Sequence, residues 1–309
     1  MNRRPLRNRS GMALLLTVLV MSLLTIIVVD FFHSAWIQSA LAASYSNDTK
    51  ALFAARSGQM VAAKILVEDK RKNIPADALT EEWAQGGIPL PIDDDYVFIT
   101  IQDDSGKFDL NSLVSARGYP QERRIKIFRR MLARLEIEED ITDSIVDWLD
   151  SNGEPLRDGA EDGYYFSLKN PYRAKNGKLD SVDEILMIKG VTPKIVARLR
   201  PHITASATKK INVNTAALEL LWSLDDDMTE DIANSVILAR TEKPFEKRED
   251  IKRVPGMADI YPRIALDIDV KSDLYSVESS VTIGENTKII RARYARNAVS
   301  VTTLFYKVY

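Results

Sequence analysis

Met12 to Val29 carries no charged side chain, and only Thr17, Ser22 and Thr25 interrupt its apolar character. As a helix rising ~1.5 Å per residue the run is roughly 27 Å long, close to the ~30 Å hydrocarbon core of a bilayer. In front of it stand Arg3, Arg4, Arg7 and Arg9 with no acidic residue, a bias that keeps the amino end cytoplasmic. A secretory signal peptide shares that charge pattern, but its apolar region is shorter and ends at a small-x-small cleavage site. Here the small residue, Gly11, precedes the run. Cleavage of the Gly11–Met12 bond from the cytoplasmic side would leave the apolar helix on the mature chain. An ordinary single-pass anchor with an incidental Gly11 is the other reading of these residues.

The helix need not stop at the membrane. No proline occurs from Met12 to Lys70, and 40–63 is rich in good helix formers. Leu52, Phe53, Met60, Val61 and Ile65 predict the face that packs on a globular head. Asn73 and Pro75 end the helix. A linker with a short helical piece at Glu81-Glu82-Trp83 follows, in which Gly86-Gly87, Pro89 and Pro91 break regular structure. Tyr96 to Ile101 reads as a strand, Asp103 to Gly106 as a turn, and Lys107 to Asn111 as its hairpin partner. Helical patterns then run from about Leu113 to Asp269. Strands return at Leu274–Ile283, Lys288–Tyr294 and Val299–Tyr309, the last alternating in a way that suits coverage on at least part of both faces. The simplest topology is a sheet interrupted by a large helical insertion.

Composition closes off several functions. The 309 residues have a net charge of −2, which argues against a general nucleic-acid binder. There is no cysteine, hence no disulfide, thiolate zinc site or cysteine nucleophile, and the two histidines, His33 and His202, are isolated. No catalytic constellation emerges.

The helical middle repeats itself. Lys107-Phe108-Asp109-Leu110-Asn111-Ser112-Leu113 and Lys210-Ile211-Asn212-Val213-Asn214-Thr215-Ala216 share one pattern, and Asn111 and Asn214, each before Ser or Thr, suggest N-cap chemistry. Ile185–Thr192 and Ile251–Met257 each resemble the turn of a helix-hairpin-helix. The stretch 211–257 is similar to the helix-hairpin-helix domain of membrane-anchored competence proteins that bind DNA, where backbone N–H groups meet a phosphate. Here Asp225-Asp226-Asp227-Met228 occupies the first hairpin, and the other reads Pro255-Gly256-Met257-Ala258, losing the second glycine of the Gly-x-Gly. From 209 to 269 nine Lys or Arg face thirteen Asp or Glu, so phosphate would be repelled.

Glu138 to Asp162 holds ten carboxylates and one base, Arg157. Asp150, Asn152, Glu154, Glu161 and Asp162 crowd a Gly- and Pro-bearing loop with hard oxygens, which is the chemistry of Ca²⁺. The spacing is not that of an EF-hand, and a solvated acidic surface is the alternative.

Gly11-Met12 resembles the class III leader of type IV pilins and type II secretion pseudopilins. With 147–154, 159–165, Pro171-Tyr172-Arg173 and 210–216, it identifies the chain as similar to the type II secretion minor pseudopilin K family, in order from Gly11 to about Ile268. The resemblance implies an α+β fold: a pilin-like helix on a small antiparallel sheet, with an inserted region of two SAM- or helix-hairpin-helix-like units. The segments are a cleaved leader (1–11), the transmembrane and pilin helix (12–70, with 12–29 in the membrane), linker and first strands (71–112), two helical units (113–208 and 209–270) and closing strands (271–309). It further implies processing by prepilin peptidase, an inner-membrane anchor with a periplasmic head, pseudopilins I and J as partners at the pseudopilus tip, calcium in the helical region, and no enzymatic activity. Pilins usually carry Glu as the fifth mature residue; here that position is Leu16. The competing readings are a membrane-anchored DNA-binding protein and a minor pilin of a type IV pilus.

Overall fold

The computed structural model describes residues 9–72, 74–206, 208, 210–297 and 299–309. The leader residues Arg3, Arg4 and Arg7, the Arg9 side chain and the Asn73 helix stop lie outside the described residues.

Helix α1 spans Arg9–Arg71, 63 residues in one piece. From Gly11 to Ser46 every residue is exposed, so the apolar half projects free of the head. It alone among the described helices is long and apolar enough to cross a membrane. The carboxyl half packs on a sheet, though not through the expected face. Ala51, Ala54, Ala55, Gly58, Gln59, Ala62 and Leu66 are buried, whereas Phe53 and Met60 are exposed and Leu52, Val61 and Ile65 half-buried. The reason is close approach: a Cβ on Gly58 would lie 2.7 Å from Val97 Cγ1 and 2.9 Å from Ser279 Cβ. Small residues let the sheet's own Val97, Ile99, Val277 and Ile290 fill the interface. Gln59 is satisfied inside it, donating Nε2 to Ile290 O at 2.9 Å and accepting at Oε1 from the Tyr294 hydroxyl at 3.0 Å.

The sheet begins with β1 (Ile88–Ile92) and β2 (Asp95–Asp103). The expected irregularity at Pro89 and Pro91 is corrected: both lie in β1, an edge strand, where a missing N–H need cost no ladder bond. The insertion opens with β3 (Phe108–Asp109), α2 (Glu122–Arg134), α3 (Ile141–Leu149), α4 (Asp162–Phe166), α5 (Pro193–Leu199) and β4 (Ile203–Thr204). It continues with β5 (Ile211–Asn212), α6 (Leu218–Trp222), α7 (Glu230–Glu242), α8 (Met257–Ile264) and β6 (Ile268–Asp269). The chain then returns through β7 (Leu274–Ile283), β8 (Asn286–Arg296) and β9 (Val301–Val308). The five long strands form one antiparallel sheet in the order β1-β2-β7-β8-β9. β2 and β7 are neighbours, Asp103 opposite Tyr275, so the insertion leaves and rejoins the sheet at one place.

The expected hairpin of 107–111 with β2 does not form. A single turn at Asp104–Gly106, capped by the Asp103 side chain on Ser105 N, redirects the chain, and β3 pairs in parallel with β4. β5 pairs in parallel with β6 in the same manner. Each half of the insertion is thus clasped where it begins and ends. Both share one hydrophobic core, from Phe108 to Val270, separate from the core beneath α1. Arg130 ties the halves together, donating to Ser223 O at 2.7 Å and Asp226 Oδ1 at 2.8 Å.

The asparagines are not caps. Asp109 and Asn212 accept from the N–H of Asn111 and Asn214, freeing those two amides for a distant task. Asn111 accepts from Leu179 N and donates to Leu179 O; Asn214 does the same to Phe245. β9 also departs from its sequence pattern, since most of its residues on both faces are exposed.

Candidate functional site

The acidic loop is assembled around α3. Asp143, Asp147 and Asp150 fall at i, i+4 and i+7, hence on one helix face, and all three are buried. Asp147 accepts from Leu156 N at 3.1–3.2 Å, and Gly159 stands so close that a Cβ there would lie 1.8 Å from Asp147 Oδ2. Asp150 accepts from Asn152 N and Nδ2, at 3.1 and 2.8 Å. Asn152 and Glu154 are exposed and linked by a bond from Glu154 N to Asn152 Oδ1 at 2.7 Å. Asp162 accepts from Ala174 N at 2.9 Å. Lys189 donates to the carbonyls of Asp158 and Gly159 rather than to a carboxylate.

Glu161 differs from the rest. It is 6% exposed, and neither carboxylate oxygen has a hydrogen-bond partner among the described residues. Burial first, then repulsion from Asp147, Asp150 and Asp162, pushes its pKa up to about 7. Burial likewise pushes Asp147 up to about 6, with Asp150 and Asp143 adding repulsion, and raises Asp150. A buried carboxylate without a donor is costly unless it takes a proton or a cation. Hard anionic oxygens, two of them unsatisfied, are the donor chemistry of a divalent cation such as Ca²⁺, although no three carboxylates of this loop bring oxygens within 4.8 Å of one another. Asp147 was not among the expected ligands, although its i+4 spacing from Asp143 and i+3 spacing to Asp150 carried the signal.

Another acidic group is tighter. Among the described residues, Asp69, Asp77 and Glu81 alone form a carboxylate triad with oxygens within 4.8 Å of one another. A cation is already present there. Buried Arg296 donates to Asp69 Oδ2 at 2.7 Å, to Asp77 Oδ1 and to Ser272 O. Glu81 is pushed up to about 7, chiefly by burial and then by Asp69. This network lies where α1 ends and the insertion joins the sheet, so its evident work is to fix that junction.

The hairpin positions are filled from within. Arg263 binds Asp225 at 2.6 and 2.9 Å and Asp227 at 2.7 Å, while Asp226 binds Arg130. Gly190 and Gly256 both have left-handed backbones, φ 81° and 82°. A Cβ on Gly256 would lie 2.9 Å from Ile232 Cδ1, so that turn is packed on α7. At the membrane end, a Cβ on Gly11 would meet nothing within 4 Å. The fold of this chain places no steric demand for glycine there.

Two family models described as type II secretion system (T2SS), protein K match residues 106–208 and 211–271, together more than half of the chain. The chain belongs to that family. The two matches meet between β4 and β5, where the two clasped halves join. Curated relatives include type II secretion system protein K of Aeromonas hydrophila, 28% identical over 315 residues and 94% of each chain. That of Pseudomonas aeruginosa is 28% identical over 300 residues, covering 92% of this chain and 88% of the relative. A chain in the crystal structure of the GspK-GspI-GspJ complex from enterotoxigenic Escherichia coli superposes with a TM-score of 0.76 at 21% identity, over 87% of this chain and 99% of that one. At that identity the likeness speaks for the fold. Family membership decides against the DNA-binding and type IV pilus readings: the chain is a minor pseudopilin of type II secretion.

Proposed function

We propose that this protein occupies the tip of the periplasmic pseudopilus, assembled with pseudopilins I and J, and acts in protein export by that assembly without a reaction of its own. The observation that carries the placement is the end of the head to which the insertion is attached. Near the apolar half of α1, Asn286 donates to Ser44 O and Lys288 pairs with Asp48 at 2.8 Å. At the other end of the packed helix, Asp69 pairs with Arg296, beside the junction through Asp77 and Ser272. The insertion therefore lies at the end of the head remote from the anchor, where it would obstruct a head stacked beyond it.

In this reading α1 is a single-pass inner-membrane anchor and the head is periplasmic. Prepilin peptidase cuts between Gly11 and Met12; an unhindered glycine with no role in the chain's own packing supports that assignment. Ca²⁺ is held in the helical region by Glu161 with Asp147 and Asp150, with Asp162, Asn152 and Glu154 the further oxygen donors nearby in sequence. The two repeated units are SAM-like modules retained for protein packing. Full-length tagged chain should co-purify with pseudopilins I and J and localise to one end of the pseudopilus; tag found along its length would refute the tip position.

A further inference from the structure

The two edges of the sheet are built differently. β1 places Pro89 and Pro91 opposite Phe98 and Tyr96, alternate positions that close the edge to another strand. β9 has no proline, and apart from Leu304 and Lys307 every residue from Val301 to Tyr309 is β-branched or aromatic. Ile289 and Tyr309 exchange both backbone bonds, at 2.8 and 3.3 Å. Tyr309, Lys307 and Phe305 therefore turn their backbone groups to β8, and Tyr306 and Val308 turn theirs outward. A register shift leaves Leu304 as a bulge, so the regular part of the edge is 305–309.

The side chains repeat the message. Tyr306 and Val308 lie opposite buried Ala292 and Ile290, on the face that α1 covers elsewhere. Yet they are 43% and 39% exposed, because α1 lies over β8 and touches β9 only marginally. The alternation of this stretch is that of a strand covered on both faces, and in the single chain it is not.

We propose that an extended strand of a neighbouring pseudopilin completes the sheet along 305–309, pairing its backbone with Tyr306 and Val308 and laying apolar side chains over theirs. The inference rests on the pseudopilin reading above. A strand is the chemistry that matches outward N–H and C=O groups at alternate positions beside apolar side chains. The second copy of this chain is disfavoured by a subunit needed only at one end.

The full-length chain would be co-expressed with pseudopilins I and J and purified in detergent. Tyr306→Pro with Val308→Pro removes two outward donors and leaves the bonds to β8, as Pro89 and Pro91 do on β1. Retention of the partners should fall about tenfold or more. Undiminished retention overturns the proposal; a wild-type chain that retains neither partner overturns the pseudopilin reading instead. Should the variant fold poorly, amide exchange of the wild type decides: Tyr306 and Val308 should slow about tenfold or more with partners bound, and unchanged exchange overturns the pairing. A wild-type dimer that the substitutions abolish would assign the edge to a second copy and overturn it too.

Discussion

Asn214 holds the backbone of Phe245 from both sides, its Nδ2 donating to Phe245 O and its Oδ1 accepting from Phe245 N, each at 2.9 Å. Asn214 is 1% exposed and Phe245 fully buried, so neither peptide group has water as a substitute. Asn111 treats Leu179 alike, accepting at 2.7 Å and donating at 3.1 Å. Asn214→Ala should therefore cost about 3 kcal/mol, since an orphaned buried N–H or C=O costs ~1–3 kcal/mol. Thermal unfolding of the full-length chain checks this, with Asn111→Ala behaving in the same way.

Gly58 sets the distance between α1 and the sheet. Gly58→Ala would gain helix propensity, about 1 kcal/mol, but must displace Val97 and Ser279 from within 3 Å. Overpacking of this kind costs ~1–3 kcal/mol, so the net change should be destabilising. A variant as stable as the wild type would mean that the helix rides higher on the sheet.

Glu161 and Asp147 make stability depend on pH and on cations. Each keeps its proton to a higher pH when folded, about 7 and about 6, than the ordinary 4.5 and 3.8. Folding therefore takes up protons between about pH 4 and 7, and in chelator stability should fall as pH rises through that window. Ca²⁺ favours the ionised forms and should restore what is lost. Glu161→Gln should raise the melting temperature in chelator at pH 7 and remove most of the response to Ca²⁺. Equal responses in the variant and the wild type would exclude Glu161 as a Ca²⁺ ligand.

Gly11 has open space around it, so Gly11→Val should leave the fold intact and block processing. Intact mass should show the full precursor. Normal mature chain from this variant would refute the leader assignment.

Leu16 takes the place of the usual pilin glutamate. A lone carboxylate in the hydrocarbon core costs several kcal/mol when nothing pairs with it. Leu16→Glu should thus be neutral or harmful in a secretion assay, because a tip subunit has no amine ahead of it to pair with. A gain of secretion would contradict the tip position.

Local sequence determined a good deal of this protein. The uncharged run from Met12 fixed the exposed apolar half of α1. β-Branched and aromatic runs marked β2, β7 and β8, and the change of period between them marked the insertion. The carboxylate-rich loop was legible as a cluster. These signals are periodicity and composition, and they act over a few residues. What tertiary structure alone decided are partnerships across long separations: β3 with β4, Asn214 with Phe245, Asp69 with Arg296, and Gly58 with Val97. The pattern of large apolar residues misplaced the packed face of α1, because close approach to the sheet selected Ala and Gly. Glu161 is one of five candidate ligands in the loop; burial beyond reach of any described donor is what sets it apart from the other four, and no local pattern encodes that.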